Sequence, residues 1–117
     1  MNTKSNKIFI QSTDFKTSRK LSAFIRRQAS KLEVFTDRII EIKVSLKLDR
    51  SDASNKICEI SVLVPGKDLF VSKRSDTFEE SVSISVDALK HQLEAWKATL
   101  SGRSRDFKES IKSQNRG

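Results

Sequence analysis

In 117 residues the sequence has one cysteine, one histidine, one proline, three glycines and no tyrosine. Each scarcity excludes something. Cys58 alone can close neither an intramolecular disulfide nor a cysteine metal cage, which points to a reducing intracellular compartment. His91 has no second histidine at metal-ligand spacing, so no metal site is expected. Gly66, Gly102 and Gly117 cannot build a phosphate-cradling loop, and no G-x-G-x-x-G, Walker or G-x-S-x-G pattern occurs, which argues against nucleotide and serine hydrolysis. No apolar run approaches the roughly 18 residues of a membrane span, and the opening MNTKSNK lacks a signal peptide's hydrophobic stretch. A soluble cytoplasmic protein is expected, with no cofactor, membrane partner, small-molecule substrate or catalytic constellation.

What the sequence has in abundance is positive charge. Lys plus Arg number 23 against 15 Asp plus Glu, a formal charge of +8 with a pI near 9.9. The apolar fraction, 36% with 7 Phe, is lean but enough for one core, and a chain of this length folds as one domain.

The hydrophobic period assigns the elements. Ile8-Phe9-Ile10, within Asn6 to Gln11, reads as a first strand. Thr17 or Ser18 then offers an N-cap, after which Leu21, Phe24, Ile25, Gln28 or Ala29, Leu32 and Phe35 recur at three- and four-residue steps, a helix of about five turns. Ile40, Ile42, Val44, Leu46 and Leu48 alternate with polar residues as a half-buried strand does. The polar stretch 49–55 is a loop, and Cys58, Ile60, Val62 and Val64 mark the apolar face of a third strand. Pro65-Gly66 suits a type II turn into a fourth strand, Asp68 to Lys73, with Leu69 and Val71 inward and Phe70 outward. Asp76 or Thr77 caps a second helix, with Glu80 placed as in a capping box. Phe78, Val82, Val86, Leu89, Leu93, Trp96 and Leu100 form its stripe as far as Gly102, the expected stop. Ile84 falls off that stripe, and the period gives no account of it. The fold class is therefore α+β in the order β-α-β-β-β-α, a four-stranded sheet with two helices on one face and the other face wet. Residues 1–102 form the domain, and 103–117 a basic, disordered tail.

The charge is unevenly distributed. Residues 18–35 carry +4, residues 76–100 carry −3 and the tail carries +3. On the first helix Lys20, Arg27 and Lys31 stack along one shoulder of the apolar stripe, with Arg19 and Arg26 on the back. Arg19 and Lys20 in the first turn oppose the helix dipole, each at about 0.3–1 kcal/mol, an arrangement that stability alone does not favour. It fits either a phosphate-facing surface or a merely solvated helix face. On the second helix Lys90, His91 and Lys97 lie off the stripe in the C-terminal half, while Asp76, Glu79 and Glu80 complement the dipole. Phe78 and Trp96 read as core, Phe70 as core packing or base stacking, and Cys58 as a small buried hydrophobe.

These elements carry specific residues. Lys31-Leu32-Glu33-Val34-Phe35 with Asp37 and Ile39-Ile40 resembles the signature that closes the first helix of the ribosome hibernation-promoting factors, a ribosome-associated translation inhibitor and sigma-54 modulation family. Val64 to Val71 (VPGKDLFV), Thr77-Phe78-Glu79-Glu80 and Asp87 to Glu94 (DALKHQLE) resemble the hairpin and second helix of the same family, so the likeness spans Ser18 to Ile40 and Lys56 to Lys97. It implies the family's domain, broadly similar to a double-stranded-RNA-binding domain, and a non-enzymatic role. That role is to bind the small ribosomal subunit, its rRNA and neighbouring ribosomal proteins, over the mRNA channel and the A and P sites, and to silence translation in stationary or stressed cells. By position Lys31, His91 and Lys97 match basic positions of the family, and the rRNA-binding set expected is Arg19, Lys20, Arg26, Arg27, Lys31, Lys90, His91 and Lys97. Glu94 and Ala95 depart from the family's basic run. The short tail implies a short-form factor without a dimerisation domain. The competing readings are an assembly protein for rRNA or double-stranded RNA, and a protein-interaction module using the open sheet face.

Overall fold

A computed structural model of the chain describes residues 7–109, with side chains described over 7–100. The elements are β1 (Ile8–Ser12), α1 (Arg19–Ser30), a 3-10 turn (Lys31–Val34), β2 (Glu41–Leu48), β3 (Lys56–Val64), β4 (Lys67–Ser75) and α2 (Phe78–Glu109). The order β-α-β-β-β-α is the expected one. The strands lie in sequence order across one sheet, β1-β2-β3-β4, with β1 parallel to β2 and the other pairs antiparallel. A parallel neighbour requires a crossover, and α1 is that crossover.

Alternation on the two central strands builds the core. Ile42, Val44 and Leu46 of β2 and Cys58, Ile60, Val62 and Val64 of β3 are buried and meet across the ladder, Val44 opposite Ile60 and Leu46 opposite Cys58. Leu69 and Val71 extend this face onto β4, and Ile25, Ala29 and Leu32 cover it from α1 and the 3-10 turn. From α2 come Phe78, Val82, Val86, Leu89, Leu93 and Trp96. Ser81 and Ser85 are also fully buried, which the apolar period does not reveal. Their hydroxyls donate to the Phe78 and Ser81 carbonyls, so these small side chains let α2 lie close to β3 with no polar atom orphaned. Phe15, from the β1–α1 link, stacks on Phe78 at 4.9 Å between centroids.

The caps follow the sequence. Ser18 accepts the Leu21 N–H at 3.0 Å, and Thr77 accepts the Glu80 N–H at 3.1 Å. The Glu80 carboxylate, however, takes the Ser75 hydroxyl. Gly66 has φ +79°, the conformation that the β3–β4 turn needs and that glycine adopts without steric cost. In the loop between β2 and β3, Arg74 reaches the Asp49 and Asp52 carboxylates, each at 3.2 Å. Hydrogen bonds from the Ser51 hydroxyl and N–H, reinforced by Arg74, hold the Asp49 carboxyl below its ordinary range.

Some expectations change. The first helix is not continuous for five turns, because it tightens to 3-10 at Lys31. The Ser30 hydroxyl donates to the Arg26 carbonyl at 2.6 Å, one residue before the tightening. Of the alternatives at the stripe's centre, Ala29 is buried and Gln28 is not. Ile40 is 53% exposed while Ile39 is buried, since the alternation begins only where β2 pairs from Glu41. Gly102 does not stop α2, which continues to Glu109. One glycine in a helix interior costs only about 1 kcal/mol relative to alanine, and the Arg, Lys and Glu residues beyond it are good helix formers. Residues 110–117 of the expected tail lie outside the described residues.

Burial pushes the Cys58 thiol up to about 12, whereas an unfolded thiol ionises near about 8.5. A pKa raised by folding leaves stability intact below the unfolded value and erodes it above. Native protein should therefore resist alkylation by iodoacetamide at pH 8, and its urea midpoint should fall between pH 9 and 10, with a smaller fall in Cys58→Ala.

Candidate nucleic-acid interface

The two surfaces of the domain treat charge differently. On the open sheet face Lys43 pairs with Glu41 at 3.6 Å, Lys47 with Glu59 at 3.0 Å and Arg74 with the loop carboxylates. Phe9 and Phe70, both more than half exposed, lie in one cross-strand row with Lys43 and Ser61 between them. This face mixes exposed aromatics with paired charges. Across the helices, Arg19, Lys20, Arg27 and Lys31 are all exposed, and none forms an ion pair among the described residues. The first turn of α1 holds no acidic residue. Unpaired cations on a rigid helix are ready to exchange counterions for phosphates, whereas paired ones must first give up a carboxylate.

The structure divides the expected binding residues. Arg27 stands over the Phe24 ring, 5.7 Å from its centroid. Lys31 faces α2 across a cleft of about 380 Å³ lined also by Gln28, Ser83, Ile84, Val86, Asp87 and Lys90. Lys31 and Lys90, from different helices, are thereby brought together, with Asp87 3.9 Å from the Lys90 ammonium. Arg26, expected on the back of the helix, is instead half-buried and donates to the Ile8 carbonyl at 3.2 Å. It lies one position past the fully buried Ile25, and its length carries the guanidinium to edge strand β1. Lys97 donates to the Phe35 carbonyl, where an ammonium closes the end of the 3-10 turn. His91 is exposed, with Nδ1 3.9 Å from Glu94. A cationic surface on α1 with one lysine from α2 remains.

Sequence reasoning misses Gln28, Ser83 and Asp87 as parts of the cleft. Their only signal is the three- and four-residue spacing from Gln28 to Lys31 and from Ser83 to Asp87 and Lys90, which acquires meaning once the two helices are known to lie side by side. A larger groove, about 550 Å³, lies between the Pro65–Phe70 turn and Gln92, Ala95, Trp96, Thr99 and Leu100. Its single cation, Lys67, sits beside Asp68, so it does not extend the basic surface. Among the described residues no group of three or more His, Cys, Asp or Glu could hold a metal ion, and no helix is long and apolar enough to cross a membrane.

Comparison with known proteins then adds the lineage. The family described as sigma 54 modulation protein / S30EA ribosomal protein matches residues 8–101. The chain belongs to this family. The hibernation-promoting factor resemblance drawn from its motifs points to the same family. Among solved structures, a ribosomal subunit interface protein from Coxiella burnetii superposes with a TM-score of 0.71 at 21% identity, covering 78% of this chain and 97% of that one. The N-terminal domain of Thermus thermophilus Protein Y gives 0.65 at 20% identity, covering 74% and 93%. At these identities the likeness is one of fold. A search of curated proteins by sequence gives no match.

The division of the arginines is testable. Arg26→Ala should lower unfolding stability by about 1–3 kcal/mol, since it removes a charged donor from a part-buried carbonyl. Arg27→Ala, on the exposed shoulder, should stay within about 0.5 kcal/mol of the parent. Urea titration of the two variants checks both.

Proposed function

We propose that this protein is a cytoplasmic ribosome hibernation factor. It binds the small ribosomal subunit in the channel used by mRNA and by tRNA in the A and P positions, and inhibits translation by occupying that space. The observation that carries this reading is the cationic row Lys20, Arg27 and Lys31 along α1 and the 3-10 turn, unpaired among the described residues, in a domain of the S30EA ribosomal protein family. The structural neighbour described as a ribosomal subunit interface protein supports it.

The mechanism needs no chemistry. A folded rRNA surface is read through its shape and its phosphates, so what the protein must supply is rigidity and a fixed pattern of cations. The rigid part is the sheet with both helices packed on it. The Ile8 carbonyl held by Arg26 and the Phe35 carbonyl held by Lys97 fasten α1 and the 3-10 turn to their neighbours. Lys20, Arg27 and Lys31 then meet phosphates without rearrangement, and a domain of this bulk in the channel leaves no room for mRNA and tRNA.

Purified protein should cosediment with empty small subunits, and bound mRNA with initiator tRNA should displace it. Binding undisturbed by those competitors overturns the occlusion mechanism. Comparable affinity for an isolated RNA duplex favours the assembly-protein reading instead. Replacing Lys20, Arg27 and Lys31 together by Ala should weaken binding and lower the slope of log K against log salt, by roughly 0.7–0.9 for each phosphate no longer neutralised. An unchanged slope places the RNA elsewhere on the domain.

A further inference from the structure

Ile84 has no structural duty that the core explains. It is 39% exposed, off the buried stripe of α2, and lines the cleft between the two helices. Most of its side chain is covered, and the part left open faces the cleft beside Lys31 and Lys90.

The cleft has a mixed chemistry. Ile84 supplies an apolar wall, while Gln28, Ser83 and Asp87 supply an amide, a hydroxyl and a carboxylate. Lys31 supplies charge with no ion pair among the described residues, and Lys90, across the cleft, supplies a second charge partly offset by Asp87 at 3.9 Å. A phosphate alone is a poor occupant, because Asp87 repels an anion and Ile84 offers it nothing. A free-standing apolar ligand is poor too, because most of the lining is polar. A heterocyclic base joined to phosphates uses every group. Its face packs on Ile84, its edge meets Gln28, Ser83 and Asp87, and the phosphates on either side meet Lys31 and Lys90. The volume, about 380 Å³, lies at the lower end of the range for small-ligand clefts, about 300–1,000 Å³.

We propose that the α1–α2 cleft receives one unpaired base of ribosomal RNA, bound by Ile84, Gln28, Ser83 and Asp87 between the phosphate-binding Lys31 and Lys90. Sequence-dependent RNA recognition commonly works in this way, on unstacked bases whose faces and edges are free. Asp87 is an acceptor only, so it meets the donor part of a base edge, an exocyclic amino group or a ring N–H. The proposal rests on the ribosome-binding reading above and makes it more specific. Within that reading, α1 supplies nonspecific phosphate affinity and the cleft fixes the position of the domain on the rRNA.

The test uses the full chain and purified empty small subunits, with affinity measured across a salt series and the rRNA probed by dimethyl sulfate and kethoxal. Ile84→Ser and Gln28→Ala, both at non-core positions, should each weaken binding by roughly 2- to 10-fold, the size of one lost hydrogen bond or one small apolar contact. The salt slope should not change, because every phosphate-binding cation is kept. One base protected by the parent protein should become reactive with Ile84→Ser while the rest of the footprint stays, and Ile84→Leu should restore the protection. Parent-like affinity in both variants overturns the proposal, as does a lower slope with Ile84→Ser or a footprint in which no base depends on residue 84. Those results leave ribosome binding standing. If the parent protein itself leaves no footprint and does not sediment with the subunit, the broader reading falls and the cleft proposal falls with it.

Discussion

Everything in this domain depends on a sheet with one apolar face. Alternation on β2 and β3 sends Ile42, Val44, Leu46, Cys58, Ile60, Val62 and Val64 to the same side, and that side must be covered. Four strands at about 4.8 Å spacing make a surface some 19 Å wide, while a helix with its side chains is about 10 Å across. One helix cannot cover the sheet, and two side by side can. The pairing of α1 with α2 and the cleft between them therefore follow from the width of the sheet. So does the segregation of surfaces, because helices confined to one side leave the other side open to water.

The electrostatics follow that segregation. Cations on the open sheet face have carboxylates within reach, on the same strand for Lys43, on the neighbouring strand for Lys47 and in the β2–β3 loop for Arg74. On α1 the acidic partners are missing, so Arg19 and Lys20 face the unfavourable end of the helix dipole without relief. Uncompensated like charge on a short helix lowers stability unless something anionic binds. In a member of the S30EA ribosomal protein family, an anionic partner is what the proposed function supplies.

The parts of the fold that are legible in the sequence are those where local pattern and tertiary context agree. Period-two alternation places β2 and β3, Pro65-Gly66 places the hairpin, and Ser18 and Thr77 place the helix starts, because each signal acts over a few residues. What is not legible depends on partners far along the chain. The tightening of α1 to a 3-10 turn at Lys31 leaves no mark in the apolar period, which runs on through Leu32 and Phe35. Ser81 and Ser85 look like surface residues until β3 lies beneath them. Arg26 and Lys97 look like free cations, yet each ends on a main-chain carbonyl supplied by another element, 18 and 62 residues away. Gly102 carries the residue type of a helix stop, but a stop requires a left-handed turn and the chain beyond it remains helical. The candidate site is legible as charge on α1 and illegible as a cleft, since its walls come from two segments that only the packed helices bring together.

The net charge of a helix is accordingly a poor guide to what the helix binds. Residues 76–100 sum to −3, which taken alone removes α2 from any RNA surface. Yet Asp76, Glu79 and Glu80 cluster at the N-terminal end, where the dipole accounts for them, and Glu94 has His91 beside it. The part of α2 that faces α1 is different in kind, with Ser83 and Ile84 beside the ion pair of Asp87 and Lys90, a wall whose charges offset each other. Phosphate affinity is generic and easily supplied by a row of lysines and arginines, but it fixes no register on a folded RNA. Register needs contacts that discriminate by shape and hydrogen bonding. In this domain α1 carries the first property, and the side of α2 turned toward it carries groups suited to the second.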